Sequence, residues 1–360
     1  MAISSVLGSS ALAPAGLGFR NKIINGAMVI NQRAATVTAS GSQQWVTDRW
    51  SVYNATGTVT FQQSSTAPVG FTNSLLATVT ATGSYGSGGY TLLGQFIEGL
   101  NTADLAWGTS SAKPVTVSFW VRSSVTGTYT VSLQNNGQSR SYVAPYTINA
   151  ANTWEQKVIT IQGETSGSWS TDTSAGVRVW FSLGVGSVWD TTGNAWQSAN
   201  YYGVSTSVDL AANSGATFYV TGVQFEQNVV VTPFEQRPIG VELSLCQRYF
   251  YRFVGDVSYY NPVGTGGIVT ATNTVGRITV YLPVTMRKAI ATADLSYAAS
   301  SLVGYDGVGI SFLTSIASYS TDKNLSLDCG FGNAFTAGKP AVLLTQPNAL
   351  TGLSVNAEVL

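Results

Sequence analysis

The stretch Gly222–Phe250, GVQFEQNVVVTPFEQRPIGVELSLCQRYF, decides how this chain is organised. It opens as a β-strand, passes Pro233 and Pro238, and then takes up a helical pattern. Proline cannot donate to a sheet ladder and is favoured in the first turn of a helix, so the change of period marks a boundary. After Pro238, the residues Val241, Leu243, Leu245, Cys246, Tyr249 and Phe250 can cover one side of a helix over Gly240–Arg252. Glu242 and Arg248 are then expected to stay in water. A different sheet is expected from near Thr270, so a domain junction falls roughly two thirds of the way along the 360 residues.

Upstream, period-two alternation recurs. Val115, Val117, Phe119 and Val121 share one face of a strand, with Thr116, Ser118 and Trp120 on the other. Tyr129, Val131 and Leu133 repeat the pattern, as do Val177, Val179, Phe181, Leu183 and Val185, with Arg178 and Trp180 opposite. Turn signals at Asn135-Asn136-Gly137 and Thr191-Thr192-Gly193-Asn194 separate the runs. Many short strands without intervening helices indicate an antiparallel jelly-roll sandwich, placed at residues 20–238. Downstream, Ile278, Val280 and Leu282 alternate, then Leu325, Leu327, Cys329 and Phe331, then Leu353, Val355, Ala357 and Val359. The expected class is all-β: a jelly roll, a helical linker at 239–251, and a smaller β-sandwich at 252–360. The last strand of that sandwich is expected to run to the final residue.

Seventeen basic and seventeen acidic residues cancel, which leaves no electrostatic footprint for nucleic acid. Only 9% of residues are charged, against roughly 25% in an ordinary soluble domain. Ser, Thr, Asn, Gln and Gly must therefore make the surface, which suits a durable protein that assembles into larger particles. There is no histidine, which removes the commonest general base and metal ligand. Cys246 and Cys329 form neither a metal spacing nor a disulfide framework and read as two buried free thiols. Residues 1–19 lack the basic region of a secretory signal and any apolar run long enough for a bilayer. They read as a flexible attachment tail, and no membrane insertion is expected.

Two segments bracket the first sandwich: Phe19–Arg33 (FRNKIINGAMVINQR), followed by Asp48-Arg49-Trp50, and Gly222–Phe250 behind it. This bracketing resembles bacteriophage and prophage tail-fibre or virion appendage proteins, in which such segments open and close a carbohydrate-binding-module-like jelly roll. Leu282-Pro283-Val284-Thr285-Met286-Arg287, Phe335-Thr336-Ala337-Gly338 and Asn356-Ala357-Glu358 are similar to that family's C-terminal unit. The resemblance implies a virion-exposed, usually homotrimeric appendage that meets the host surface. From the residues themselves, Asp48-Arg49 reads as a charge pair at the core edge and Trp50 as a core aromatic. Glu226, Glu235, Arg237 and Arg248 read as charge-assisted pairs locking the junction.

Sugars are held by aromatic rings against their C–H faces, with amides, hydroxyls and carboxylates fixing the hydroxyls. Ser166–Tyr202 has that inventory, and Trp189, Trp196, Tyr201, Tyr202, Asp190 and Asn194 are the candidate glycan ligands. Trp120 and Trp180 could line an exposed sheet face. Asp190–Asn194 offers too few oxygen ligands for calcium and reads as a turn. Gly83–Gly89 is followed by no Lys-Ser/Thr on a helix and is no phosphate loop. Glu155, Glu164, Asp172 and Asp190 are available to a polysaccharide-cleaving tailspike, but their spacing singles out no catalytic pair. The expectation is a non-enzymatic virion structural protein without cofactor or metal, made in the host cytoplasm. It is expected to join other virion proteins through its N-terminal region and to adhere to host-surface glycans. A capsid head-fibre or decoration protein is the alternative, and a glycan-degrading tailspike a lesser one.

Overall fold

The alternating segments pair into antiparallel sheets throughout. A computed structural model describes residues 19–33, 36–254, 259–268, 274–333, 335, 336, 338–347 and 352–359. The expected attachment tail (but for Phe19), Thr270 and Ala337 lie outside the described residues. Thirteen described strands precede the prolines. They are β1 (Val37–Thr38), β2 (Gln44–Trp45), β3 (Ser51–Asn54), β4 (Thr58–Ser64), β5 (Ser74–Ala81), β6 (Tyr90–Glu98) and β7 (Val115–Ser123). After them come β8 (Gly127–Gln134), β9 (Ser141–Ile148), β10 (Glu155–Ile161), β11 (Ala175–Val185), β12 (Trp196–Gln197) and β13 (Thr217–Glu226).

Six of these strands make one sheet in the order β1-β4-β5-β13-β7-β10, and seven make another in the order β12-β9-β8-β11-β6-β3-β2. The inward residues are those the alternation picks out. Val115, Val117, Phe119 and Val121 meet Tyr129, Val131, Leu133, Val179, Phe181 and Leu183 in one core. Trp50 is fully buried in it and donates from Nε1 to the Asn25 carbonyl at 3.0 Å.

After the prolines come α1 (Ile239–Gln247) and, among the described residues, nine further strands. These are β14 (Phe250–Arg252), β15 (Asn261–Ile268), β16 (Val275–Tyr281), β17 (Leu295–Ser296), β18 (Leu302–Tyr305), β19 (Ile310–Ser318), β20 (Asn324–Phe331), β21 (Pro340–Thr345) and β22 (Ser354–Asn356). The all-β class is as expected, with one difference in the second unit. Its strands β15-β16-β20-β19-β18-β21 close into a barrel instead of facing each other as two open sheets. Alternation cannot distinguish the two, because both bury every second side chain. Ile278, Val280, Leu325, Leu327, Cys329 and Phe331 fill the barrel.

The helix is shorter than expected. It stops at Gln247, and Phe250–Arg252 instead pairs antiparallel with Ser354–Asn356, with β17 on the far side of β22. Glu242 also differs: it is buried, accepting hydrogen bonds from the Asn25 backbone N–H and the Arg237 guanidinium. A carboxylate in a first helical turn that finds two such donors can leave water. Leu353, Val355, Ala357 and Val359 are all fully buried, although the strand itself ends at Asn356.

Candidate functional site

The two bracketing segments meet each other. β13 bulges between Thr221 and Gln224, and the N-terminal segment docks into the gap. Val223 N–H donates to the Gly26 carbonyl and Lys22 N–H to the Phe225 carbonyl, at 3.0 and 2.9 Å. Asn21 closes the contact, its Nδ2 donating to the Val223 carbonyl and its Oδ1 accepting from Phe225 N–H. A Cβ on Gly26 would overlap the Val223 carbonyl oxygen, so this approach dictates glycine there.

Charged residues then tie the bracket to the helix and the C-terminus. Arg237 bridges Glu235 and Glu242, and Arg248 bonds Glu98 with two nitrogens at 2.7 and 3.1 Å. Glu226 closes its own loop by accepting from Thr232 and Gln224. Asp48 and Arg49 do not pair with each other. Asp48 accepts two bonds from Gln32, whereas Arg49 runs beneath the Tyr249 ring to Glu358 and the Phe96 carbonyl. Burial pulls both Arg33 and Arg49 down to about 10 and pushes the Asp48 carboxyl up, against the Arg33 charge and the Gln32 bonds. This network is joint chemistry, with its carboxylates taken up by the arginines and amides beside them.

The aromatic residues proposed as sugar ligands divide between two packed clusters. Trp189 and Tyr202 lie on the outer face of the seven-stranded sheet with Tyr53, Tyr90, Phe96 and Trp180. Trp189 Nε1 donates to the Gly88 carbonyl at 2.7 Å. Trp196 sits on β12 at the far edge, ring against Trp107, Trp169 and Tyr142, its Nε1 on the Gln162 carbonyl. Tyr201 is half-buried beside β8, where its carbonyl accepts from Gln134. Trp180 is 3% exposed and lines no open face; its ring packs against Tyr53, Phe96 and Tyr202 in a cluster that also holds Cys246 of α1 and Val359. Trp120 is half-buried on the outer face of the other sheet, near Phe71.

Asp190 has a different setting. It borders an open groove of about 670 Å³, shared with Thr128, Pro145, Thr147, Thr191, Thr192, Val204, Ser205 and Thr206. Asn194, exposed at the end of the same turn with φ 64°, anchors it through its N–H to the Val143 carbonyl. The groove is preformed: Thr191 N–H donates to the Gly203 carbonyl and Val208 N–H to the Thr128 carbonyl, at 3.0 and 2.8 Å. Its hydroxyls, one carboxylate and the Pro145 and Val204 surfaces can bond polyol hydroxyls and cover an apolar ring face. A general acid and a general base would need a second carboxylate, and the described lining holds only Asp190. Glu155 is bonded by Lys157, Asn149 and Ala150, Glu164 by Arg140 and Ser166, and Asp172 by Ser174. Thr128 and Thr147 escape sequence reading because a threonine on a strand carries no mark of a groove, and Val204–Thr206 because a short polar turn carries none either.

No family model matches this chain, and no curated protein does. Among solved structures it is similar to the enzymatically active domain of tailspike protein 4 of bacteriophage CBA120, at 13% identity and a TM-score of 0.32. That match covers 58% of this chain and 22% of the tailspike domain. A putative sugar binding protein from Bacteroides thetaiotaomicron matches at 13% identity and a TM-score of 0.32, over 58% of this chain and 100% of that one. The family 11 carbohydrate-binding module of a cellulosomal cellulase of Clostridium thermocellum matches at 13% and 0.28, over 56% and 99%. At such scores the likenesses carry no inference about activity.

Proposed function

We propose that this is a non-enzymatic structural protein of a phage particle, a tail fibre or related appendage, whose jelly roll adheres to host-surface glycans through the groove beside Asp190. The observation that carries the adhesive part is the groove itself: open, preformed, lined with hydroxyls and bearing a single carboxylate. The appendage part rests on the bracketing motifs. Their residues Asn21, Asn25, Arg49, Glu235, Arg237 and Glu242 meet in one buried joint that holds the sandwich, helix and C-terminus together. Assembly as a homotrimer belongs to the same reading. Val308, Ile310 and Phe312, all exposed on the β18–β19 hairpin, offer apolar surface for contact between copies.

Labelling the protein on intact particles and locating it by electron microscopy tests this reading, together with its mass in solution. Label on the tail and a three-copy mass are expected. A stable monomer absent from particles and unable to bind host cells would end the proposal.

A further inference from the structure

A second cavity, of about 350 Å³, opens where the sandwich meets the three-stranded sheet β14-β22-β17. Its floor follows from strand register. Arg252 stands opposite Ser354, and Ser354 opposite Ser296, so the three side chains form one row on one face of the sheet. Val355 and Leu295 take the other face, against the barrel core. Arg33 and Trp45 of the sandwich form the wall. The Arg33 guanidinium lies 3.8 Å over the Phe250 ring and 5.5 Å from the Trp45 ring, so packing fixes its position. Gly352 borders the cavity, and a Cβ there would overlap the Phe253 carbonyl oxygen.

The charges around this cavity do not balance. Arg33 spends one nitrogen on Glu358 at 2.9 Å, a carboxylate it shares with Arg49, and its Nε has no partner among the described residues. Arg252 donates to the Gln32 and Arg33 carbonyls at 3.5 and 3.2 Å, and among the described residues no carboxylate pairs with it. Burial pulls its pKa down, the direction for a guanidinium with no anion beside it. A neutral sugar would leave that charge uncompensated. A carboxylate matches the guanidinium fork with two parallel bonds, and the Trp45 ring gives a pyranose apolar surface.

We infer that this cavity is a second binding site, taking the carboxylate of an acidic sugar with Arg252 as the anion-holding residue. It is separate from the groove and does not depend on it. Titration of the full chain with glucuronate, read by ligand-observed NMR, tests the site, with glucose and inorganic phosphate as parallel probes. Glucuronate is expected to saturate, to bind at least tenfold more weakly to Arg252→Gln, and to be indifferent to Asp190→Ala; glucose is expected not to bind. Ser296→Glu, at the exposed end of the same row, places a carboxylate there and is expected to abolish binding even if Arg252→Gln unfolds. Absence of saturable glucuronate binding, equal binding of glucose, or wild-type affinity in either variant overturns the site. Phosphate binding as tightly as glucuronate overturns the acidic-sugar assignment.

Discussion

Removing the carboxylate of Glu358 should undo the joint from the far end of the chain. Arg49 and Glu358 are each 1% exposed in their side chains, and Arg33, the second guanidinium on Glu358, is 10% exposed. Glu358→Ala therefore strands two buried cations. Deleting one partner of a buried pair costs ~3–5 kcal/mol, because the remaining charge cannot recover its hydration. For a unit of this size each kcal/mol lowers Tm by roughly 2–4 °C, so a fall of about 6–20 °C is expected. Urea titration followed by near-UV circular dichroism reads the loss, and calorimetry reads the temperature. Arg277→Ala is the control, since its pair with Asp328 is exposed on the barrel (56% for the arginine) and should leave Tm unchanged. A Glu358→Ala protein that melts with wild type would refute the idea that the C-terminus is held by charge.

Trp189→Ala should cost ~3 kcal/mol by opening a cavity among Tyr90, Tyr202 and the outer face of the sheet, detected as a lower urea midpoint. If stability holds and only glycan binding falls, Trp189 is a ligand and not a packing residue. Cys246 and Cys329 are free, fully buried in different cores, and burial pushes both thiols up, Cys329 to about 12. Iodoacetamide should alkylate neither until denaturant is added, and rapid labelling of the native protein would contradict their burial. Asp306 accepts from Thr336, Gly309 and Val308 N–H groups, which hold its carboxyl down at about 2. The unfolded carboxyl titrates near ~3.9, so this contribution is complete above roughly pH 4 and is lost as the pH falls toward 2. Asp306→Asn should flatten that part of the acid profile; an unchanged profile would show that the three bonds do not matter.

Which faces are buried was legible because alternation is a backbone property. Leu325, Leu327, Cys329 and Phe331 point inward in a barrel as they would in a sandwich. Closure was not legible, because it depends on which strands meet at long range. The helix end at Gln247 was hidden for the same reason: Phe250–Arg252 has a neighbour in Ser354–Asn356, a hundred residues further on. Burial of Glu242 was hidden too, since its donors come from Asn25 and Arg237 and not from its own helix. At the candidate site, composition picked out the 189–194 turn that borders the groove, Asp190 included, together with aromatic residues that the structure packs beside it and elsewhere. Trp189 is half-buried against Tyr90 and Tyr202 on the outer face of the sheet and Trp196 against Trp107, Tyr142 and Trp169 at its edge, whereas Asp190 borders a groove lined largely by threonines.

The most direct measurement is a glycan-array screen of the full chain beside Asp190→Ala and Thr192→Ala, two substitutions at the groove that leave both packed cores alone. Saturable binding to a defined set of surface glycans, lost or at least tenfold weaker in Asp190→Ala with the melting temperature unchanged, is the predicted result. Binding that survives both substitutions at full strength, or no binding to any glycan, would contradict adhesion through the groove.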